Sequence, residues 1–289
     1  MARRGPLALR AAARPHVPLD VRVDAAGHDE VAELAQAFNG MAARLAETER
    51  LRKQMVSDVA HELRSPVTNL RCTLESIQDG LVTADRAAID ALHEETLFLQ
   101  RLIADLEDLS RADAGQLGLR IQPVRLGEAI RRAAAATILP AHGVAVTLEL
   151  SEDLPAVNAD PDRMEQIFRN LLSNAARHTP PGGSVQVSTQ RIAGQGSGDA
   201  IRVVVSDTGA GIDPAHLPHV FDRFYRADKS RARATGGAGL GLAIVRQLVR
   251  AHGGSVIAES EGLGKGAVFA VTIPLRSEME KGKGKREKS

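Results

Sequence analysis

The feature that most constrains the fold is a pair of long apolar stripes in the first half of the chain. In each stripe, apolar or small residues recur at alternating spacings of three and four, which places them on one face of a helix. The first stripe contains Val56, Val59, Leu63, Pro66, Leu70, Thr73 and Ile77, and the second contains Ile89, Leu92, Thr96, Leu99, Ile103, Leu106 and Ser110. Because only a short glycine-containing connection separates them, the stripes predict an antiparallel helical hairpin.

One hairpin cannot cover apolar faces of this width, since Phe98, Leu102 and Leu109 broaden the second stripe further. We therefore predict that two copies of the chain form a homodimeric four-helix bundle. The alternative is a monomeric hairpin that packs on the domain that follows it.

A third stripe with the same spacing precedes the hairpin and consists of Val31, Leu34, Phe38, Met41 and Leu45. Val56 follows Leu45 by eleven residues, which is one heptad plus a four-residue stutter. A stutter locally unwinds a coiled coil. Residues 46–55 are therefore a predicted site of signal transmission.

Beyond about residue 118 the heptads give way to short apolar strands and separate helices, which predicts a second domain of the α/β sandwich class. The predicted strands are 144–150, 185–190, 201–205 and 269–273, and the predicted helices are 163–178 and 240–252. A glycine-rich segment between two of these strands is typical of a hairpin loop.

Composition narrows the classes of function. With 37 basic and 36 acidic side chains the net charge is +1, which gives no support for nucleic-acid binding. Cys72 is the single cysteine, so no internal disulfide can form, and no stretch reaches the roughly 20 apolar residues that span a bilayer. The chain as it stands is therefore expected in the cytoplasm.

The two ends differ from the rest of the chain. Residues 1–18 are rich in arginine and contain no acid, which fits the cytoplasmic flank of a membrane segment, an organellar transit segment or a disordered basic start. Residues 277–289 are charged and nearly without apolar side chains, which predicts a disordered basic tail.

A histidine stands out on the first helix of the hairpin. If Val56 and Val59 are core positions a and d, His61 falls at position f and faces solvent. An exposed imidazole on a rigid helix is a competent nucleophile, and the adjacent Glu62 can orient or deprotonate the ring. Pro66 removes a helical hydrogen bond nearby, so we expect it to bend or loosen the helix.

Two polar pairs on a helix of the second domain suggest a phosphate ligand with a metal ion. Asn170 and Asn174 are four residues apart, so their amide oxygens share one face, and such neutral oxygens suit hydrated Mg²⁺. Arg177 and His178 follow one turn later, where they could contact a phosphate and stack on a base.

Two glycine loops follow these pairs. In the first, Asp207 ends a predicted strand, where its carboxylate can accept a hydrogen bond from an exocyclic amine, and Gly209 and Gly211 permit close approach. The second loop, 236–242, opens a helix whose first amides suit phosphate oxygens. It lacks the lysine of a P-loop.

Taken together, these motifs resemble the histidine kinase family of bacterial two-component signalling over roughly residues 50–276. The matching segments are the H box at 61–62, the N box at 170–179, the G1 box at 207–212, the F box at 221–226 and the G2 box at 237–242. Upstream, residues 29–41 resemble the second helix of HAMP signal-relay modules, with Ala32 where that family favours glycine.

A domain assignment follows from the patterns and the resemblance. It comprises a basic segment at 1–18, a HAMP-like relay helix at 19–48, complete or truncated, a HisKA dimerisation and phosphoacceptor hairpin at 49–117, an HATPase domain of the GHKL type at 118–276, and the tail at 277–289. The family is usually anchored in the bacterial inner membrane, which implies a membrane sensor segment outside this chain.

The resemblance also implies an activity and its residues. The chain would bind ATP and Mg²⁺, phosphorylate His61 with Glu62 as base, and pass the phosphoryl group to an aspartate of a response regulator receiver domain. The implied ATP-binding residues are Asn170, Asn174, Arg177, His178, Asp207, Gly209, Gly211, Arg226, Gly237, Gly239, Leu240 and Gly241.

Individual roles carry over from the same motifs. Asn170 and Asn174 would hold the metal, Asp207 would meet adenine, and Arg226 would reach the γ-phosphate at the start of a lid over 226–238. Ser65 occupies the position at which many relatives have the Thr or Asn that helps dephosphorylate the regulator.

Three other functions share part of this pattern. A GHKL ATPase of the chaperone, topoisomerase or mismatch-repair type and a protein-serine kinase of the anti-sigma type share the N and glycine motifs, but neither needs His61 on a heptad hairpin. The non-enzymatic alternative is a dimeric scaffold that binds ATP or a regulator without phosphorylating itself.

Overall fold

The computed structural model describes residues 30–137, 143–193, 198–227 and 238–275. The chain divides into two compact units, Met1–Ser65 and Pro66–Ser289. The predicted basic segment 1–18, the first part of the HAMP-like helix and the predicted tail 277–289 lie outside the described residues.

Helix α1 is longer than the sequence pattern predicts. It runs unbroken over Glu30–Gln78, 49 residues, and so joins the third stripe to the first stripe of the hairpin. The stutter at 46–55 is contained within this helix, and the helix also continues through Pro66. Proline therefore removes one hydrogen bond here without ending the helix.

Helix α2, Arg86–Asp113, is the second helix of the predicted hairpin. Asp85 caps its N-terminus, where the Asp85 carboxylate accepts a hydrogen bond from the Ala88 amide at 2.9 Å. Leu102 and Leu109 are buried, whereas Ile89 and Ile103 from the predicted seam remain 57% and 50% exposed. Part of the apolar face is thus unpaired within a single chain.

The rest of the second unit is the predicted α/β domain. Its strands are β1 (Gln122–Val124), β2 (Ala145–Glu149), β3 (Val157–Ala159), β4 (Ser184–Ile192), β5 (Ala200–Asp207), β6 (Ser255–Glu259) and β7 (Ala267–Pro274). The main sheet has the order β2-β4-β5-β7-β6, with β2 and β4 parallel and the other neighbours antiparallel. Strands β1 and β3 form a separate antiparallel pair.

The main sheet packs against a layer of helices. These are α3 (Leu126–Thr137), α4 (Pro161–His178) and α5 (Gly241–Ala251). The sheet contributes Ile201, Val203, Val205, Phe269 and Val271 to the core, and the helices contribute Ile130, Met164, Ile167, Phe168, Leu171, Ile244, Val245 and Leu248. Because these side chains are buried, the opposite side of α4 faces outward. The candidate site lies on that side of α4 and in the loops at the ends of the strands.

The ends of two helices are tied together by a buried histidine. His252, at the C-terminus of α5, is 2% exposed. Its Nε2 accepts a hydrogen bond from the Asp160 amide at 3.1 Å, so Nδ1 carries the proton that is donated to the Leu248 carbonyl at 2.8 Å. Asp160 in turn caps α4 by accepting from the amides of Asp162 and Arg163. Only the neutral imidazole can make both of these bonds.

We expect this arrangement to make stability depend on pH. Burial lowers the pKa of His252 below its ordinary value of 6.5, against the opposing effects of the Leu248 carbonyl and Asp160. The unfolded chain therefore binds a proton more readily, so the free energy of unfolding should be fully retained above about pH 6.5 and fall below it, by at most about 1.4 kcal/mol per pH unit.

Urea unfolding of the native protein and of a His252→Gln variant, at pH 7.5 and at pH 5.5, measures this effect. The native protein should lose more stability on acidification than the variant, because glutamine does not titrate. Equal losses in both proteins would contradict the assignment.

Candidate nucleotide site and histidine helix

Helix α4 presents the predicted asparagine pair at the surface of the domain. Met164, Ile167, Phe168, Leu171 and Leu172 bury one side of the helix, which leaves Asn170 and Asn174 half-buried on the other. The Nδ2 of Asn170 donates to the Gly241 carbonyl at 3.3 Å, so its Oδ1 is the atom that can face a ligand. The predicted N box and the start of the G2 helix are thus in contact.

The last turn of α4 carries Arg177 and His178, both at the surface. Desolvation and the neighbouring Arg177 lower the pKa of His178, while Asp207 raises it. Desolvation, Arg226 and Arg101 lower the pKa of Arg177. His178 thus lies within electrostatic range of the predicted residues Arg177, Asp207 and Arg226.

Asp207 ends β5 and is 7% exposed. Its Oδ1 accepts hydrogen bonds from the Gly209 amide at 2.9 Å and from the Ala267 amide at 3.2 Å. Burial raises the pKa of Asp207, and the two backbone amides and His178 oppose that rise. Because Oδ1 already accepts twice, Oδ2 is the oxygen that can accept from a base.

Hydrogen bonds between peptide groups hold much of the loop after Asp207. The Ala210 amide donates to the His178 carbonyl at 3.0 Å, the Gly264 amide donates to the Ala210 carbonyl at 2.7 Å, and the Gly266 amide donates to the Gly209 carbonyl at 3.2 Å. A Cβ at Gly209 would overlap the His178 carbonyl oxygen. Glycine is therefore required at position 209 by contact, whereas other glycines of these loops are favoured by a positive φ.

A matched pair of glycines separates these two requirements. Gly264 and Gly266 have φ values of +76° and +72°, but a Cβ at Gly266 would overlap the carbonyl oxygen of Asp207, whereas one at Gly264 would meet nothing within 4 Å. Gly264→Ala should cost about 1 kcal/mol of stability from backbone strain alone. Gly266→Ala should cost about 3 kcal/mol or more and weaken nucleotide binding, because Asp207 must shift.

Thermal unfolding and nucleotide titration of both variants measure the difference. Equal effects of the two substitutions would show that contact with Asp207 is unimportant.

The second glycine loop meets the predicted F box. The Phe224 amide donates to the Gly239 carbonyl at 3.0 Å, and Phe224 has φ +58°, a left-handed conformation that is costly for a residue with a side chain. Leu240 is buried and precedes the first residue of α5, Gly241. Arg226, the last residue of the F box, lies near the edge of the described residues. Gly237 and most of the predicted lid, 228–237, lie outside them.

Sequence reasoning did not single out every residue that shapes this site. The Ser260 hydroxyl donates to the Gly266 carbonyl at 2.7 Å and accepts from the Ile212 amide at 3.0 Å, so it fastens the two loops together. The His216 Nδ1 lies 2.6 Å from the Tyr225 hydroxyl and steadies the segment before Arg226. Tyr225 belongs to the F box, whereas no local pattern in the sequence marks Ser260 or His216.

The residues present fit ATP and a magnesium ion. The Asn170 and Asn174 amides are neutral oxygen ligands of the type that Mg²⁺ accepts alongside water and phosphate. Glycines 209 and 211 let the loop backbone pack against the carbonyl oxygens of His178 and Gly262, which a Cβ would overlap, and Asp207 supplies an acceptor for a base.

The first unit contains the other predicted residues. His61 and Ser65 are exposed on α1 and Glu62 is half-buried, as the heptad assignment predicts for positions f and g.

Among the residues that the structure describes, no helix is both long and apolar enough to cross a lipid bilayer. Three family profiles match the chain. They are the histidine kinase-, DNA gyrase B- and HSP90-like ATPase over residues 159–277, the His Kinase A phospho-acceptor domain over 51–115, and the HAMP domain over 7–47.

Individual proteins agree with these profiles. The signal transduction histidine-protein kinase BaeS of Escherichia coli strain K12 is 37% identical over 262 residues, which are 90% of this chain and 55% of BaeS. The structure of the Acinetobacter baumannii histidine kinase AdeS matches with a TM-score of 0.61 at 25% identity, over 75% of this chain and 98% of that one. The structure of full-length ShkA in complex with AMPPNP matches with a TM-score of 0.56 at 28% identity, over 78% of this chain and 46% of ShkA. The chain spans about half the length of BaeS.

Proposed function

Because the chain belongs to the sensor histidine kinase family, with HAMP, HisKA and HATPase domains, we propose that it phosphorylates His61 from ATP and passes the phosphoryl group to an aspartate of a response regulator. The observation that carries the proposal is the combination of an exposed histidine on a heptad helix with the contact between Asn170 and Gly241 and the glycine loop that the Asp207 carboxylate holds.

In the proposed complex, adenine donates from its exocyclic amine to Oδ2 of Asp207. His178 lies beside the base, and Arg177 and Arg226 neutralise phosphate charge. Asn170 and Asn174 would hold Mg²⁺, which supplies charge neutralisation on the phosphate oxygens when it is bound. Together these residues would bind the base, the phosphates and the metal ion of ATP. The related protein ShkA was crystallised in complex with AMPPNP.

The chemical step is an in-line displacement. An unprotonated ring nitrogen of His61 attacks the γ-phosphorus, a nitrogen–phosphorus bond forms, and the bond from phosphorus to the bridging oxygen of ADP breaks. The ring would become cationic, so Glu62 accepts the proton from its other nitrogen. Most of the rate enhancement comes from positioning and charge neutralisation.

The partners follow from this reaction. A receiver aspartate attacks the phosphohistidine, so that an oxygen–phosphorus bond forms and the nitrogen–phosphorus bond breaks. We propose Ser65 for the separate dephosphorylation of the regulator, in which water attacks the phosphoaspartate and inorganic phosphate leaves. Since ATP and response regulators are cytoplasmic, we place both reactions there.

The exposed seam residues Ile89, Ile103 and Val56 support a homodimer, and sedimentation should give twice the chain mass of 30.7 kDa.

Incubation of the purified chain with γ-labelled ATP and Mg²⁺ tests the proposal. We expect a protein-bound label that acid removes and alkali does not, the behaviour of phosphohistidine. An alkali-labile, acid-stable label would indicate a serine kinase instead, and ATP binding without any label would favour a scaffold.

A further inference from the structure

The C-terminal part of α2 is docked on the ATP-binding domain. Leu109 is buried, and it lines a narrow apolar gap together with Leu248 of α5. Beside it, the Arg163 guanidinium donates to the Asp108 carboxylate at 2.6 Å, and the Gln166 amide donates to the same oxygen at 2.9 Å. The end of α2 and the ATP-binding domain are therefore in direct contact.

One turn beyond Leu109, the side chain of Asp113 contacts the F box. The Arg223 guanidinium donates to both carboxylate oxygens of Asp113, at 2.7 Å and 2.5 Å. The side-chain amide of Gln247 on α5 adds a longer bond to Asp113 at 3.3 Å. A two-bond pair of this kind fixes the orientation of both groups, and the Arg223 side chain is only 24% exposed, which limits screening by solvent.

The residue after Arg223 has a strained backbone. Phe224 has φ +58°, a left-handed conformation that a residue with a side chain keeps only where the surrounding contacts hold it. On one side Arg223 is fixed on Asp113, and on the other the Phe224 amide donates to the Gly239 carbonyl at 3.0 Å. The fit is tight, since a Cβ at Gly239 would lie 3.0 Å from the Phe224 Cα and from the Tyr225 carbonyl oxygen.

The contact between Phe224 and Gly239 leads into the nucleotide site. Leu240 follows and is buried, and Gly241 begins α5. The Gly241 carbonyl accepts a hydrogen bond from the Nδ2 of Asn170 at 3.3 Å. A continuous series of contacts thus joins the end of α2 to the N box, through the F box and the start of the G2 helix.

We propose that Asp113 is a positioning residue for nucleotide binding. It holds Arg223, which keeps Phe224 in its left-handed conformation and seats the F box against the G2 loop. Docking of α2 thereby raises the affinity of the ATP-binding domain for nucleotide, and bound nucleotide strengthens the docking in return, because coupling between two sites is reciprocal. The inference rests on the proposed function, since it assumes that ATP occupies this site.

Titration of the full chain with AMPPNP, which does not require phosphoryl transfer, tests the inference. Asp113→Ala should weaken AMPPNP binding by roughly fivefold or more, the lower end of typical couplings between sites. Asp113→Glu should recover part of the loss, because it keeps a carboxylate. Glu107→Gln is the control and should keep the native affinity, because Glu107 is exposed on the same helix and its carboxylate lies 3.6 Å from Arg111.

A second comparison isolates the route through Arg223. If Asp113 acts through this guanidinium, Arg223→Ala should weaken AMPPNP binding at least as much, and Asp113→Ala should add nothing when the two are combined. Asp108→Ala removes a docking contact that does not involve the F box, so it should reduce the affinity less than Asp113→Ala. Additive effects in the double variant, or an equal loss in Asp108→Ala, would overturn the positioning role.

Thermal unfolding without nucleotide separates positioning from a general loss of folding. The titrations are made at a temperature at which every variant is folded. Unchanged AMPPNP affinity in Asp113→Ala would overturn this inference alone, and so would a loss of affinity that simply follows the loss of stability across the Asp108 and Asp113 variants. Failure of the native chain to bind AMPPNP would overturn the proposed ATP binding and this inference with it.

Discussion

Replacing His61 by glutamine should reduce phosphorylation of the chain below detection while AMPPNP affinity remains that of the native protein. Glutamine keeps the exposed position on α1 and a polar side chain, but its amide nitrogen is not a nucleophile, so no nitrogen–phosphorus bond can form. The measurement is the acid-labile label after incubation with γ-labelled ATP and Mg²⁺, quantified against AMPPNP binding by the same preparation.

The matched control is His93→Gln, because His93 is an exposed histidine on α2 at a position that the H box does not include. It should keep the native level of label. Glu62→Gln should fall between the two, with a rate lower by about 100-fold or more, since a general base typically contributes that much. Persistent label in His61→Gln would place the phosphate on another residue.

Replacing Asp207 by asparagine should weaken ATP binding by about 100-fold, a loss of about 3 kcal/mol. The asparagine carbonyl can still accept the hydrogen bonds from Gly209 and Ala267, so the loop should keep its shape. The atom that replaces Oδ2 would then be an amide donor, which opposes the amine of adenine.

Asp207→Asn should also change the nucleotide preference, which a general loss of folding would not do. An amide donor suits the carbonyl oxygen of guanine, so the preference for ATP over GTP should narrow in Asp207→Asn. Asp213→Asn is the control, because Asp213 caps the same loop by accepting from the Ala215 amide. Undiminished ATP binding by Asp207→Asn, or an equal loss in the control, would remove Asp207 from the base-recognition role.

Much of the architecture could be predicted from periodicity. The 3-4 stripes gave the two helices of the hairpin, and short apolar runs gave four strands of the main sheet. Strand β6 was not predicted because its sequence, S-V-I-A-E, has three consecutive apolar residues without the alternation of V-A-V-T-L-E-L that marks β2, and Ile257 is 44% exposed at the sheet edge. Strands β1 and β3 have three residues each, too few for a periodic signal.

Candidate site residues that lie within a short stretch of sequence could be predicted, whereas contacts between distant parts of the chain could not. Glycine loops and an asparagine pair are visible within a few residues, and the structure brings Asn170 to Gly241 and His178 to Asp207. The docking of α2 could not be predicted, because Asp108 and Arg163 are separated by 55 residues and ordinary charged residues carry no marker of their partner. The unbroken course of α1 through residues 46–55 was also missed, since a stutter shifts the seam but leaves every backbone hydrogen bond in place.

The loop around the proposed adenine site is held by peptide groups, and this has a consequence for drug resistance. An inhibitor that contacts the backbone of Gly209, Ala210 and Gly266 would touch atoms that are the same in every amino acid except proline, which lacks the amide hydrogen. A substitution that places a side chain at Gly209 or Gly266 would collide with the His178 or Asp207 carbonyl and damage the nucleotide loop itself. Escape from such a compound would therefore require changes in the surrounding side chains, such as Ser260, rather than in the loop that the compound binds.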